Sequence, residues 1–253
     1  MVNLYIVTYA THSEGMFEKL INNKFNKEID IIGWGTKFNN YIDKIKHLNN
    51  FILDKNNSDI VIYLDGFDSL INKNFDNRKL INIFLQYNTN ILISEDPSNM
   101  LLIDNKEIGD KIYSYNFGQY KNNEKPNMGM FMGYVKDLKK LAKCIISQNI
   151  TDDQMALYNC FGDNIKIDTK HKIFLNTKHS YYKENDKKIE AIFVSFPFGN
   201  TDTDYDTKRY KRFFLKEKKY HLLLLLFLII IMIIFTTIYL NKNNIYNILK
   251  KLR

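Results

Sequence analysis

The chain has 253 residues, 45% hydrophobic and 25% charged, and a formal net charge of +8 at pH 7. The hydrophobic and charged fractions suit a globular body of one large domain or two small ones. The positive charge is localised: residues 208–219 hold seven Lys or Arg against one Glu, residues 241–253 hold four more, and residues 1–207 are slightly acidic, which excludes the basic groove of a nucleic-acid-binding protein.

In chain order, NLYIVTY (3–9) predicts a first strand, and SEGMFEKLINNKF a helix with Met16, Phe17, Leu20 and Ile21 on one face. The N-terminus has no basic start and reads as a strand leading into a polar loop, not as a signal peptide. IDIIGWG (29–35) predicts a second strand ending in a glycine turn, and residues 39–54 a helix with Ile42, Ile45, Leu48 and Ile52 near a 3.6-residue period. DIVIYLD (59–65) has the continuous apolar run of a strand buried on both faces, as in a parallel sheet covered by helices. A helix near 75–85, a strand at 91–95, a strand at 128–135, and helices at 136–148 and about 152–161 follow. Strands are again predicted at 164–169 and 189–196. This alternation implies a three-layer α/β domain over about residues 1–200.

Residues 201–221 form an acidic-then-basic linker, and 222–240 read LLLLLFLIIIMIIFTTIYL. Nineteen residues at 1.5 Å each give roughly 28 Å, the thickness of a bilayer's hydrocarbon core. A single C-terminal transmembrane helix with a short basic tail at 241–253 is the expectation, making the lipid bilayer a partner. The basic linker favours a cytosolic body, with a lumenal orientation as the alternative. Cys144 and Cys160 are read as two buried reduced thiols, since neither a CxxC pair nor a zinc set occurs. The glycines form neither GxGxxG nor GxxxxGK[ST], which argues against a Rossmann dehydrogenase and a P-loop ATPase.

The carboxylates carry the candidate chemistry. Asp65 ends the third strand, Gly66 allows a tight bend, and Asp68 follows. Two carboxylates outside a strand's carboxyl end can hold a hard divalent cation; a strand-ending Asp followed by an Asx-type turn is the other reading. Asp152-Asp153-Gln154 is a second acidic group, with helix capping as the simpler explanation for one of its members. Asp168 ends another predicted strand.

Seven ordered segments carry a resemblance: TYATHSEG (8–15), GWGTKFNNYIDKIKHL (33–48), DGFD (65–68), LISED (91–95), NMGMFMGY (127–134), DDQ (152–154) and DTKHKIFLN (168–176). Together they resemble the glycosyltransferase domain of the procollagen lysyl hydroxylases, a GT-A-like nucleotide-sugar-binding domain with a mixed, mainly parallel sheet. The resemblance implies a metal-dependent glycosyltransferase that moves glucose or galactose from a UDP-sugar to a hydroxyl acceptor, hydroxylysine or a glycan. Asp65 and Asp68 would bind Mn²⁺ or another divalent cation, and Phe67, in the family's Tyr position, would lie near the uracil. Thr8, Thr11 and Lys44 would contact the nucleotide, Asn127 and Gly129 would border the sugar, Asp152 and Asp153 would orient the donor sugar or acceptor, and Asp168 would complete the acceptor side or support the metal site without binding the ion. One departure stands out: the family's C-terminal metal-binding His falls near Ser195 or Phe196. A neutral hydroxyl is a weaker ligand than imidazole, so a catalytically weak sugar-nucleotide binder or membrane-tethered interaction protein is the alternative. His171 and His179 are expected on surface segments, and Asp202, Asp204 and Asp206 are a possible substitute ligand source.

Overall fold

The computed structural model describes residues 2–96, 106–197 and 226–232. Contacts divide the chain into Met1–Asp206 and Thr207–Arg253. Within the first unit the elements are β1 (Leu4–Tyr9), α1 (Phe17–Ile21), β2 (Asp30–Ile32), α2 (Ile42–Ile52), β3 (Ile60–Asp65), β4 (Ser69–Ile71), α3 (Asn77–Leu85) and β5 (Ile91–Glu95). They continue with α4 (Lys106–Phe117), β6 (Pro126–Tyr134), α5 (Val135–Ser147), α6 (Asp153–Cys160), β7 (Ile165–Ile167), β8 (Phe174–Asn176), α7 (His179–Asn185) and β9 (Phe193–Ser195).

Six strands form one sheet in the order β2-β1-β3-β6-β5-β7, and β4-β9-β8 form a smaller one. In the large sheet β6 alone runs against its neighbours; the β1–β2, β1–β3 and β5–β7 pairs are parallel. The sheet is therefore mixed and mainly parallel.

β3 shows why the apolar run was needed. It lies between β1 and β6, and its side chains alternate between two cores. Val61 and Tyr63 join Val7, Ile45, Leu48, Leu138, Leu141 and Ile145 under α2 and α5. Ile60, Ile62 and Leu64 join Leu80, Phe84, Phe174 and Phe193 on the opposite side, where α3 and the small sheet pack. Burial on both faces replaces the polar/apolar alternation of a half-exposed strand with an unbroken apolar stretch. Helix ends follow local chemistry: the Asp76 carboxylate accepts from the Lys79 N–H at 3.0 Å and caps α3.

The parallel strands end on one edge of the sheet, and antiparallel β6 brings its first residues there too. Thr8 pairs with Leu64, Tyr9 with Asp65, and Leu64 with Met130. The chain leaves β1 for β2 on one side and returns to β3 on the other, the change of direction outside which open α/β sheets bind their ligands. A register shift in β5 between Ile93 and Ser94 sets Ser94 opposite Asn127 at this edge.

The Cys144–Cys160 expectation is corrected. The two sulfurs form a disulfide between α5 and the last residue of α6, across a separation of 16 residues. The helices run close together here because both pack on the same face of the sheet, which brings into bonding reach two thiols that spacing alone does not pair.

Of the expected transmembrane segment, residues 226–232 are helical with mostly exposed side chains; the remainder of 222–240 lies outside the described residues. Among the described residues no helix is long and apolar enough to cross a membrane.

Candidate active site at the strand ends

Asp65 stands at the end of β3 with about a third of its side chain exposed (32%). Its Oδ1 accepts from the Tyr63 hydroxyl at 3.1 Å and from Lys44 Nζ at 3.4 Å. The turn to Asp68 passes against β1: a Cβ on Gly66 would lie 2.6 Å from the Tyr9 carbonyl oxygen and 3.0 Å from Thr8 Oγ1. Close approach, not a left-handed backbone, is therefore what requires glycine here. Asp68 is held from the small sheet. Ser195 donates to its Oδ1 at 3.0 Å, Ser69 does so at 3.4 Å, and the Phe196 N–H donates to its carbonyl at 2.9 Å.

Ser195 thus lies beside Asp68, and β4–β9 pairing sets Ser69 opposite Ser195. Of the two positions near which the resemblance placed a metal-binding His, Ser195 sets a hydroxyl next to the second carboxylate and Phe196 contributes only its backbone N–H there. His179 does not take its place on a surface segment as expected; it is buried among the rings of Tyr182 and Phe196. His171 faces Glu95, with Nε2 3.0 Å from the carboxylate, and that hydrogen bond raises the imidazole above its usual value against the opposing effect of burial. Asp202, Asp204 and Asp206 lie outside the described residues.

Lys44 departs most from expectation. It is neither a solvated helix residue nor an exposed nucleotide contact, because its side chain is only 8% exposed. The ammonium lies 2.9 Å from Asp153 Oδ2, 3.4 Å from Asp65 Oδ1 and 3.4 Å from the Met128 carbonyl. The Asp153 contact is a buried ion pair. Burial disfavours the ammonium, but the two carboxylates outweigh it and hold the Lys44 proton more tightly than in water. Asp153 is buried as well, and burial pushes it up to about 6, with Lys44 pulling back.

Asp152 is the N-cap of α6, accepting from the Gln154 and Met155 N–H groups at 2.9 and 3.0 Å. Its oxygen is engaged in starting the helix. Gln154 reaches inward: its amide donates to Asp96 Oδ2 at 3.4 Å, and its carbonyl accepts from Asn127 Nδ2 at 3.4 Å. Asn127 also donates to Asp96 Oδ2 at 3.2 Å, and its Oδ1 accepts from the Gly129 N–H at 2.9 Å. A Cβ on Gly129 would meet Asn127 Oδ1 at 2.8 Å and Asp65 Oδ2 at 3.3 Å. Gly129 therefore lets the Asn127 amide and the Asp65 carboxylate sit side by side. The Asp96–Gln154 contact is a site feature that spacing does not reveal.

Four expected contacts are sealed or peripheral. Asp168 is corrected: it is fully buried, accepting from the Tyr87 hydroxyl and from the backbone N–H groups of Lys172 (3.2 Å), Ile173 (2.7 Å) and Phe174 (2.8 Å). It folds the 168–174 turn and offers no surface to a substrate. Thr8 is likewise fully buried, donating to the Leu64 carbonyl at 2.9 Å and tying β1 to β3. Thr11 is half-buried, with its hydroxyl 2.9 Å from His12 Nδ1, and the half-buried Phe67 ring lies 5.3 Å from the His12 ring.

The described residues contain no group of three His, Cys, Asp or Glu side chains able to hold a metal. Two carboxylates fit a small hard cation that keeps several waters and takes other oxygens from a bound diphosphate. The donor set is compatible with such an ion and does not form a closed protein cage.

A family model described as the PLOD GT domain matches residues 1–212. The chain belongs to this family. The fold of this PLOD GT domain is shared with a glycosyltransferase involved in glycosylation of the major capsid of PBCV-1, at 13% identity and a TM-score of 0.51, covering 83% of this chain and 98% of the other. The galactosyltransferase LgtC, in complex with donor and acceptor sugar analogues, aligns at 14% identity and a TM-score of 0.45, over 82% of this chain and 94% of that one. No curated protein matches the sequence. The PLOD GT domain is thus a glycosyltransferase-family member with a GT-A-like α/β fold.

Proposed function

We propose that the protein transfers a hexose, glucose or galactose, from a UDP-sugar to a hydroxyl acceptor in a reaction that depends on a divalent cation. The observation that carries this reading is the placement of Asp65 at the end of β3, beside Asn127 and Gly129, with Asp68 two residues past Gly66. Asp65 and Asp68 are the residues that would hold Mn²⁺. When bound, such an ion neutralises charge on a departing diphosphate, an effect worth several kcal/mol.

The chain's own residues supply orientation. The exposed part of the Asp65 carboxylate and the adjoining Gly129 backbone border the space for the donor, and Phe67 and Thr11 lie on the nucleotide side. The Asp96–Asn127–Gln154 cluster presents amide and carboxylate groups to sugar hydroxyls. The new bond joins the acceptor oxygen to the anomeric carbon as the bond to the UDP oxygen breaks, and the acceptor proton leaves to base. Fixing both partners in one cleft supplies rate by orientation. A donor screen with UDP-glucose and UDP-galactose, following UDP release and sugar transfer with and without Mn²⁺, tests the reading; folded chain with no metal-dependent turnover on any donor contradicts it.

Ser195 favours a second reading. A neutral hydroxyl beside Asp68 leaves the cation with fewer protein ligands, as suits a sugar-nucleotide binder with weak turnover. Metal-dependent UDP binding without product across the donor screen selects it.

We further propose that residues 222–240 anchor the body to a bilayer. The basic stretch 208–219 favours a cytosolic body, and the Cys144–Cys160 bond favours an oxidising compartment. Protease protection of chains tagged at either end decides which side the acceptor occupies.

A further inference from the structure

We propose that Asp153 is a positioning residue of the donor site: it acts on Asp65 through Lys44 and touches neither sugar. The inference rests on the reading of Asp65 as a cation ligand.

The two carboxylates that share Lys44 differ in access. The Asp153 side chain is 5% exposed against 32% for Asp65, so only Asp65 has surface to offer a ligand. α6 is held at its start by the Asp152 cap and at its end by the bond from Cys160 to Cys144.

The ammonium between them poses a problem that Asp153 solves. A positive charge 3.4 Å from Asp65 Oδ1 competes for that oxygen and repels any cation arriving there. Lys44 lies nearer to Asp153, at 2.9 Å, which offsets its charge and draws it away from Asp65. The remaining fixed partners, the Met128 carbonyl at 3.4 Å and the Tyr63 ring at 5.9 Å, are neutral. Without Asp153 the ammonium has Asp65 as its sole ionic partner among these contacts, and the cation meets both a competitor and an unbalanced charge.

The test uses the full-length chain in detergent at pH 8, with Mn²⁺ and UDP as probes in calorimetry and unfolding followed in parallel. Asp153→Asn is expected to weaken the apparent Mn²⁺ affinity in the presence of UDP by about tenfold or more, the usual effect of removing an outer partner of a metal ligand. At saturating Mn²⁺ its UDP affinity returns to within about threefold of the unsubstituted chain, which general loosening of the fold does not allow. Adding Lys44→Met removes the unbalanced ammonium and restores Mn²⁺ affinity to within about threefold. Unchanged Mn²⁺ affinity in Asp153→Asn, or a double variant no better than the single, overturns the inference while leaving the proposed function standing. If the single variant does not fold, the double variant decides: folding with near-normal Mn²⁺ affinity supports the inference, and folding without it overturns it. Absence of Mn²⁺-dependent UDP binding by the unsubstituted chain overturns both readings.

Discussion

Asp168→Asn separates a structural carboxylate from a catalytic one. The carboxylate receives four donors, two on each oxygen: the Tyr87 hydroxyl and the Lys172 N–H on Oδ1, and the Ile173 and Phe174 N–H groups on Oδ2. An amide loses two bonds if its NH₂ faces the Ile173 and Phe174 N–H groups, and one if it faces the other pair, where the Tyr87 hydroxyl can turn to accept but the Lys172 N–H is left unpaired. Hydrogen bonds to a charged group contribute about 1.5–3 kcal/mol each, so the better orientation still loses at least roughly 1.5–3 kcal/mol. That is a sizeable part of the ~5–15 kcal/mol that stabilises a typical domain. At about 2–4 °C per kcal/mol for a body of this size, the melting temperature falls by at least roughly 3–12 °C. Urea and thermal unfolding of the full chain measure the loss, and calorimetry at low temperature measures Mn²⁺-dependent UDP binding by the folded fraction. The expected result is a loss of stability of this size with binding retained. A loss below about 1 kcal/mol, under the worked range, together with abolished turnover refutes the reasoning and returns Asp168 to the reacting groups.

Ser195→His places an imidazole beside Asp68; Mn²⁺ affinity is expected to rise by about tenfold or more, at a cost of about 1–3 kcal/mol for filling a buried position, and an unchanged affinity places the cation elsewhere. Cys144 and Cys160 are expected to react with maleimide only after reduction, and Cys144→Ser with Cys160→Ser to cost about 3 kcal/mol, the value for a loop of this length; labelling of unreduced native chain contradicts the bond. His171 has a folded-state value raised by Glu95, so its contribution to stability is fully present below the unfolded value near 6.5 and is lost as pH rises through the folded value. The stability difference between the unsubstituted chain and His171→Gln therefore shrinks across that window in urea titrations, and a difference that grows with pH contradicts the pairing.

The parts of the fold legible in the sequence are those whose signal is local. The Ile60–Leu64 run announces a strand covered on both faces, and the Leu138, Leu141, Ile145 spacing announces α5. β4, β8 and β9 are three residues each and exist through pairing with segments far away in sequence, so only a short part of the expected strand at 189–196 is one. The acids around Gly66 were legible because a strand's end fixes where they sit. Lys44 was not: lysine on a helix reads as solvated, and its burial depends on two carboxylates delivered by β3 and α6. Asp168 ends its strand as expected but turns inward, because the following backbone curls N–H groups onto it. Which donors meet a carboxylate is settled by tertiary packing and leaves no pattern in the chain.

The most direct test of the account is calorimetric titration of the full-length chain with UDP, with and without Mn²⁺, repeated on Asp65→Asn and Asp68→Asn. UDP binding that requires Mn²⁺ and is lost in both variants, with each variant still folded, is the predicted result. Equal UDP binding in the absence of metal, or undiminished binding when both carboxylates are neutralised, contradicts it.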